Sequence, residues 1–381
     1  MENIETLCVH PLKEKNKDRG AVTSAIYPAV AYDYLDEKTL QYPGFYSTYN
    51  QESLGQIICN LEQGQWGMIF SSGMAAISNA ILSFVKHGEH IVFSKDLYGG
   101  TLKFAKEELP KRGIECSFAD NNAAGFEALI KNNTKLIYIE TPSNPLLNIV
   151  SMSDVATIAK AHDIITVIDN TFASPINQLP LLKGIDISVH SGTKYLGGHN
   201  DLPYGALVSN NINHKETISN TARMYGGSLS PYECYIAERS LKTLALRVTR
   251  QNENAMAVAS FLSNNKQIDK VYYPGLSSHP DYEVAKEQMI GFGGMVSFEL
   301  DTDLDGINTF QHHLKLVSPA LSLGGVESLI CSPVFTSHRY LTKEERLQIG
   351  IRDNLLRLSV GIESAGDLIK DLQQAIQLTL H

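Results

Sequence analysis

One lysine, Lys194, stands in a polar, glycine-rich turn that follows a short apolar run at residues 186–190. Two hydroxyl residues, Ser191 and Thr193, flank it, two glycines follow at 197–198, and no carboxylate stands within this turn. An amine in a partly desolvated site near cationic groups has a lowered pKa and attacks carbonyl carbons. Lys194 is therefore a candidate Schiff-base lysine. A solvated surface lysine is the alternative for such a residue taken alone.

Other residues with possible chemical roles follow the neighbouring apolar runs. Gly73 begins a helical stretch, so the backbone amides of Gly73 and Met74 would hold an anion such as phosphate. The hydroxyls of Ser191 and Thr193 are further candidate donors to that anion. Tyr98 precedes a pair of glycines, where its ring is able to lie against a flat ligand. The alternatives are a helix cap and a tyrosine with a structural role.

Asp169 ends a strongly apolar run and has no lysine or arginine next to it in the sequence. A carboxylate in a mostly dry site needs a cationic partner, and a protonated heterocycle nitrogen would satisfy it. Phosphate, a planar ring, a ring cation and an imine-forming lysine together describe pyridoxal 5'-phosphate. A dinucleotide is the rival cofactor. It is not indicated, because no Gly-x-Gly-x-x-Gly follows a first strand and the glycines at 291–294 precede a strand.

Short apolar runs alternate with helical ones from residue 65 onwards. The predicted strands lie at 68–70, 91–93, 114–118, 136–139, 164–168 and 185–189. The predicted helices between them include residues 75–85, 126–130 and 155–161. This alternation predicts an α/β fold with a mostly parallel sheet, covered by helices on both faces. Ligands of such sheets bind beyond the carboxyl ends of the strands, where all the candidate residues stand.

Changes in composition and periodicity along the sequence predict that the chain has three structural parts. Residues 1–60 are aromatic and lack clear periodicity, and we interpret them as an N-terminal arm that contacts a neighbouring subunit. Residues 61–236 form the predicted cofactor-binding domain, and residues 237–381 a smaller α+β domain. The last part is predicted to hold a long helix at 237–262, strands at 295–300 and 355–360, and an amphipathic helix at 364–378.

Composition limits the possible partners and locations. The chain has 381 residues and a net charge of -9 without a basic stripe, so nucleic acid and anionic membranes are not expected partners. No apolar run approaches the roughly 18 residues of a membrane span, and residues 1–20 lack the pattern of a signal peptide, so we expect a cytoplasmic protein. Five scattered cysteines predict reduced thiols. No metal site is predicted, because His87 and His90 are interpreted as solvated residues of a turn.

From about residue 42 to its end, the chain resembles the cysteine and methionine metabolism family of pyridoxal phosphate enzymes. This family includes cystathionine γ-synthase, cystathionine lyases, methionine γ-lyase and O-acylhomoserine sulfhydrylases. The resemblance rests on the segments at 71–76, 96–100, 140–145, 169–172, 191–198, 241–244, 322–329 and 357–361. It implies the fold of type I pyridoxal phosphate transferases, similar to aspartate aminotransferase. It also implies a tetramer built from tight dimers.

The resemblance assigns a role to each candidate residue. Lys194 would carry the cofactor as a Schiff base and then act as general base, and Asp169 would hold the pyridine nitrogen. Tyr98 would stack on the ring and handle a proton near the leaving group. Asn144 would neighbour the ring oxygen and the substrate. The implied phosphate ligands are Gly73, Met74, Ser191 and Thr193, and the implied carboxylate ligands are Arg357 and Ser322. A planar guanidinium suits a carboxylate independently of any resemblance.

One departure from the family pattern concerns the arm. Family members usually have a Tyr-x-Arg that reaches the phosphate of a neighbouring subunit. Here the candidate tyrosines are Tyr42 and Tyr46, and neither is followed by that arginine. We take Tyr46 as a further cofactor-binding residue. Since a charged phosphate contact is missing, we expect the cofactor to be held more loosely, which a titration of the cofactor-free protein would measure.

The sequence leaves the substrate open. Leu321 stands where relatives that handle cystathionine often carry glutamate, which favours an apolar substrate side chain such as that of methionine. Lys103 stands where synthases and cystathionine γ-lyases place a basic residue for a distal carboxylate, and Gly100 where methionine γ-lyases often have cysteine. Core packing for Leu321 and a surface position for Lys103 are the alternatives. A carbon–sulfur lyase is the prediction, and a γ-replacement transferase, an aminotransferase and a non-catalytic homologue are the other hypotheses.

Overall fold

The computed structural model describes residues 3–11, 20–337, 339 and 341–379, and two sheets organise them. The larger sheet has seven strands: β1 Trp66–Phe70, β2 His90–Ser94, β3 Glu115–Ala119, β4 Thr134–Glu140, β5 Ile165–Asp169, β6 Ile187–Ser191 and β7 Gly205–Ser209. Their order is β1-β7-β6-β5-β4-β2-β3. Strand β7 runs antiparallel to β1 and β6, and the other pairs are parallel. The predicted α/β fold is confirmed.

All six predicted strands of this sheet are present, and their bounds differ from the prediction by at most two residues. The prediction missed β7, because its run of apolar residues is short and follows the polar turn after Lys194. The buried strands β2 and β7 have no exposed residue, as expected of strands covered on both faces.

Helices cover both faces of the larger sheet and connect its strands. Those that precede residue 230 are α1 Ile4–Val9, α2 Tyr49–Leu61, α3 Gly73–Leu82, α4 Gly99–Lys103, α5 Leu109–Lys111, α6 Ala123–Glu127, α7 Met152–Ala161, α8 Ser174–Asn177 and α9 His214–Tyr225. A π-helical turn, Phe104–Glu108, joins α4 to α5, and 3-10 turns lie at Pro43–Phe45 and Pro180–Lys183. Helix α6 begins three residues before the predicted segment, because the Asn122 side chain accepts from the Gly125 amide and caps it there.

Helix α2 was not predicted, and it changes the interpretation of residues 1–60. Most of its residues are buried, so it has no clear amphipathic stripe. It packs on the chain's own strand β1 at two facing glycines: a Cβ on Gly55 would lie 2.8 Å from the Gly67 carbonyl oxygen. The last part of the proposed arm therefore belongs to the core of its own chain. Whether the rest contacts a neighbouring subunit stays a prediction, as do the domain boundaries.

The smaller sheet has the order β10-β11-β12-β9-β8, with the strands β8 Ile268–Tyr272, β9 Met295–Leu300, β10 Ser318–Pro319, β11 Leu329–Cys331 and β12 Leu355–Ser359. The remaining helices are α10 Pro231–Leu241, α11 Leu244–Ser263, α12 Tyr282–Gln288, α13 Leu304–His313, α14 Lys343–Gln348 and α15 Ala365–Thr379. Side chains of α11, α13 and α15 form one apolar core with this sheet. Strands β9 and β12 and helix α15 were predicted, and β8, β10 and β11 were not.

The long helix predicted at 237–262 is wrong, because the chain forms two helices, α10 and α11, that separate at Lys242 and Thr243. A buried arginine, Arg247, stabilises the break. Its Nη2 donates to the Ser240 carbonyl oxygen (3.0 Å) and its Nε to Thr243 Oγ1 (3.0 Å). The Ser240 carbonyl oxygen at the end of α10 therefore accepts a hydrogen bond from Arg247, so the helix can end here without leaving this group unpaired.

The same guanidinium fixes the turn that carries Lys194. Arg247 Nη1 donates to the Tyr195 carbonyl oxygen (2.8 Å) and Nη2 to that of Leu196 (3.4 Å). Gly198 has a φ of +69° and lies directly against this side chain, so a Cβ there would be 1.9 Å from Arg247 Nη1. Burial lowers the pKa of Arg247 to about 10, which shows how far this charge is removed from water. The described residues include no helix long and apolar enough to cross a membrane.

We predict that Gly198→Ala destabilises the protein by about 2 kcal/mol more than Gly88→Ala does. Both glycines have positive φ, so the backbone strain is shared, but a Cβ on Gly88 would meet no atom within 4 Å. The extra loss comes from displacing a buried guanidinium. Chemical denaturation of the two variants measures the difference, and equal destabilisation would contradict the contact.

Candidate active site

A cavity of about 930 Å³ opens at the carboxyl ends of the parallel strands. This is the edge at which ligands of α/β sheets bind. Its lining includes every predicted site residue except Tyr46, namely Gly73, Met74, Tyr98, Asn144, Asp169, Ser191, Thr193, Lys194, Leu321, Ser322 and Arg357. Residues that are far apart in the sequence therefore meet in one place.

Lys194 follows β6 and its amine is held inside the cavity. Its Nζ donates to Ser322 Oγ at 2.9 Å, and its carbonyl oxygen accepts from the Gly198 amide at 2.7 Å. Burial, and then the charge of Arg357, lower the pKa of Lys194 to about 8. The unprotonated share of this amine near neutral pH is therefore larger than for an ordinary lysine, which favours nucleophilic attack on an aldehyde.

Arg357 lies in the middle of β12 and is 6% exposed. Its Nη1 donates to Asn144 Oδ1 at 2.9 Å and its Nη2 to the Ser322 carbonyl oxygen at 3.3 Å. Its Nε is buried and has no acceptor among the described residues. A buried donor without a partner is costly, so a carboxylate arriving in the cavity would satisfy it.

Asp169 ends β5 beneath the cavity. Its Oδ1 accepts from the Thr171 amide at 3.0 Å, and its Oδ2 from the Tyr138 hydroxyl at 3.5 Å. Burial raises the pKa of Asp169, while the bonds from Thr171 and the charge of His190 oppose the rise. A cationic ligand group against its carboxylate would offset the cost of this burial.

Tyr98 precedes α4 and lines the cavity, and the residue is 47% exposed. Its amide donates to Glu140 Oε2 at 2.7 Å. Glu140 also lines the cavity and is almost fully buried, but it was not among the predicted site residues. The argument that singled out Asp169, an acid at the end of an apolar strand, applies equally to Glu140 and would have found it.

The candidate phosphate ligands cluster at the start of α3. Ser72 Oγ caps this helix by accepting from the Ala75 amide at 3.1 Å. Gly73 is buried against β6, where a Cβ would be 2.8 Å from Ser191 Cβ, and both Gly73 and Met74 line the cavity. The Thr193 hydroxyl contacts the Tyr204 backbone, donating to its oxygen at 3.3 Å and accepting from its nitrogen at 3.1 Å. A helix N-terminus in this position fits a phosphate.

Tyr46 and Leu321 lie in different surroundings. Tyr46 lies away from the cavity lining: its ring packs on Phe70 with centroids 5.5 Å apart, and its hydroxyl donates to the Gly226 carbonyl oxygen at 2.5 Å. Its contact with the phosphate of a neighbouring subunit stays a prediction. Leu321 is 68% exposed at the cavity rim, so the alternative of core packing is wrong for this residue.

The interpretation of His90 as a solvated turn residue is also wrong. This histidine begins β2, is buried, and its Nδ1 and Nε2 lie 2.8 Å from Thr134 Oγ1 and 2.9 Å from Ser117 Oγ. It therefore has a structural role in the sheet. No group of three or more metal-binding side chains occurs within the described part of the chain.

Comparison with known proteins tests the resemblance. The model of the family described as Cys/Met metabolism PLP-dependent enzyme matches residues 5–377. The chain belongs to this family. Its fold class and its cofactor, pyridoxal 5'-phosphate, are confirmed with it. The protein is therefore a pyridoxal phosphate-dependent enzyme of the group that contains carbon–sulfur lyases and γ-replacement transferases.

Individual relatives cover the whole chain. A cystathionine beta-lyase of Lactococcus lactis subsp. cremoris is 42% identical, over 99% of this chain and 100% of its own. A cystathionine gamma-lyase of Bacillus subtilis is also 42% identical, over 98% of this chain and 99% of its own. The crystal structure of a cystathionine gamma-lyase from Lactobacillus plantarum, complexed with L-serine, has a TM-score of 0.94, 38% identity and 99% coverage of both chains.

We predict that Arg357→Gln raises the pKa of Lys194 above its value of about 8, because the variant removes the positive charge that helps to lower it. The measurement is the pH dependence of the rate at which the cofactor-free protein forms a borohydride-reducible adduct with pyridoxal. The midpoint should move to higher pH. Arg250→Gln is the control, since Arg250 is exposed and pairs with Glu253 on the surface. Equal midpoints in both variants would contradict the coupling.

Proposed function

We propose that this protein is a carbon–sulfur lyase that cleaves thioether amino acids of the cystathionine or methionine type. The observation that carries the proposal is the group formed by Lys194, Ser322 and Arg357. It places an amine of lowered pKa next to a guanidinium whose Nε has no acceptor among the described residues. Such a group suits an amino acid whose carboxylate is held while a proton is removed from its Cα.

The substrate carboxylate would bind Arg357. Its guanidinium offers planar, paired donors that match a carboxylate, and Ser322 and Asn144 hold the guanidinium in place. With the carboxylate fixed there, the substrate Cα would lie near Lys194. This geometry supports Lys194 as the general base, because an amine of lowered pKa accepts a proton and returns it at neutral pH.

The residues assigned to the cofactor fit it: Lys194 for the aldehyde carbon, Asp169 for the ring nitrogen, Tyr98 for the ring face, and Gly73 with Met74 for the phosphate. Bound in this way, pyridoxal 5'-phosphate supplies an electron sink for negative charge that develops on the substrate. Asp169 favours the protonated ring because its buried carboxylate needs a cation. Tyr98 lines the same cavity, and we assign to its hydroxyl the transfer of a proton near the departing sulfur.

The lining of the cavity also supports a thioether side chain. Besides the residues already assigned, it contains apolar and charged ones: Leu102, Leu321, Phe335, Leu341, Lys103, Lys106, Glu107 and Glu345. Apolar surface suits the sulfur and its methylene groups, and the charged rim suits a second amino-acid head group. The relatives of equal identity act under both names, beta-lyase and gamma-lyase, so cleavage at either carbon is compatible with the proposal.

A γ-replacement transferase is the second candidate. It is favoured by Lys103 and Lys106, two cations on the wall of the same cavity, where the distal carboxylate of an acylated homoserine would approach. Lys103 lies 4.0 Å from Glu107, so this wall carries both signs of charge.

We also infer a homotetramer built from dimers and a cytoplasmic location. All five cysteines are free thiols, which agrees with a reducing compartment.

The test is a substrate panel. We predict that the purified protein, supplied with cofactor, converts cystathionine or methionine into a 2-oxo acid, ammonia and a thiol. Pyruvate would identify cleavage at the β carbon, and 2-oxobutyrate cleavage at the γ carbon. Homocysteine, cysteine and an O-acylhomoserine complete the panel. Lys194→Ala should lower the rate by at least about a thousandfold, because the covalent and proton-transfer roles are lost together.

Lys160→Ala is the matched control, since Lys160 lies on the exposed side of α7 and should keep the wild-type rate. Transfer of the amino group to a 2-oxo acid would identify an aminotransferase and contradict the proposal. Consumption of an O-acylhomoserine together with a thiol, without release of a 2-oxo acid, would favour the transferase. Cofactor binding without any turnover would favour a non-catalytic homologue.

A further inference from the structure

Two carboxylates end neighbouring strands at the bottom of the cavity. Glu140 of β4 and Asp169 of β5 are directly paired in the parallel register, and they are 4% and 6% exposed. Both line the cavity. Two buried carboxylates on directly paired residues do not both ionise without a large cost. One neutral and one ionised carboxyl is therefore the arrangement of lower free energy, and the two groups have different surroundings.

Burial raises the pKa of Asp169, but several contacts oppose the rise: first the hydrogen bonds from Thr171, then the charge of His190, which itself pairs with the buried Glu62 at 2.5 Å. The charges that act on Glu140 are instead negative. Burial first, and then the charges of Asp169 and Asp96, raise the pKa of Glu140 well above the usual range, against weaker opposition from backbone amides. The neighbouring Tyr138 adds no positive charge.

Glu140 has a second property, its contact with the backbone of Tyr98. The Tyr98 amide donates to Glu140 Oε2 at 2.7 Å, and this bond holds the first residue of the short segment that leads into α4. The Tyr98 ring is half exposed and belongs to no buried core cluster. Its position therefore depends on how its backbone is held. Glu140 in turn is held at its own amide, which donates to Ser94 Oγ at 3.2 Å.

We propose that Glu140 is a positioning residue. It is a neutral carboxylic acid that anchors the backbone of Tyr98 over the cavity and leaves the single negative charge of the strand-end pair on Asp169. The proposal deepens the proposed function and rests on it in one respect, that Tyr98 and Asp169 serve the cofactor. The protonation of Glu140 does not depend on that function.

The first test uses the cofactor-free protein. A folded-state pKa above the usual 4.5 of glutamate means that the stabilisation from neutral Glu140 is complete below about pH 4.5 and is lost as the pH rises through the folded pKa. Glutamine keeps the shape and cannot ionise. The melting temperature of Glu140→Gln relative to wild type should therefore increase steadily as the pH rises from 4.5. A difference that stays constant or falls with pH would overturn the neutral state.

The second test compares three variants by cofactor affinity and by the absorption spectrum of the bound cofactor. Glu140→Gln keeps an acceptor for the Tyr98 amide and should lose no more than about threefold in affinity, whereas Glu140→Ala should lose about tenfold or more. Asp169→Asn also replaces a carboxyl group by an amide, on the paired strand. It should shift the spectrum, because it removes the negative charge that the proposal places opposite the ring nitrogen of the cofactor.

Three other results would each overturn one part of the account. If Glu140→Gln shifts the spectrum as Asp169→Asn does, the charge of Glu140 is needed and the proposal is overturned. If Glu140→Ala binds the cofactor as tightly as Glu140→Gln, the anchoring of Tyr98 is overturned. If the wild-type protein binds no cofactor, the proposed function fails, and the melting experiment still reports the protonation of Glu140.

Discussion

The site depends on two cations that share one desolvated cavity. The Lys194 amine and the Arg357 guanidinium are both bound to Ser322, through its hydroxyl and its carbonyl oxygen respectively. Ser322 is able to face both because it adopts a φ of +88°, a conformation that costs a non-glycine residue about 1–3 kcal/mol. Bringing two positive groups together out of water keeps the amine reactive and makes the cavity attractive to a carboxylate, so one arrangement serves both the chemistry and the binding.

This arrangement requires that the two sheets keep their relative positions. Lys194 follows β6 of the larger sheet, whereas Arg357 lies in β12 of the smaller one. The residues after β4 join them: Asn144 accepts from Arg357 at 2.9 Å, and the Pro145 carbonyl oxygen accepts from Ser297 Oγ of β9 at 2.7 Å. A shift between the sheets would therefore alter the pKa of Lys194 as well as the carboxylate site. The stability of the core and the reactivity of the amine are thus linked.

The residues at strand ends could be predicted because the rule that places them is local. Lys194 and Asp169 each follow an apolar run in the sequence, and the carboxyl ends of parallel strands meet at one edge. Arg247 could not be found in this way, because its role depends on carbonyl groups about fifty residues away that only the folded chain brings near. Helix α2 was missed because a helix buried on several sides shows no periodicity, and the break after α10 because its cause is a tertiary contact. The same local rule applies to Glu140, which also ends a strand of the larger sheet.

The choice of the carbon at which a substrate is cleaved depends on the cavity wall outside this pair of cations. If Arg357 holds the carboxylate as proposed, Cα would lie in the same place for every substrate, and the β and γ carbons differ by one bond. Discrimination of one methylene in a pocket amounts to about 1–3 kcal/mol, which small changes in the outer wall can supply or remove. That wall includes the exposed Leu321 and the half-exposed Tyr98, which no dense core holds in place. A difference of this size agrees with the finding that relatives 42% identical to this chain bear the names of both β- and γ-lyases.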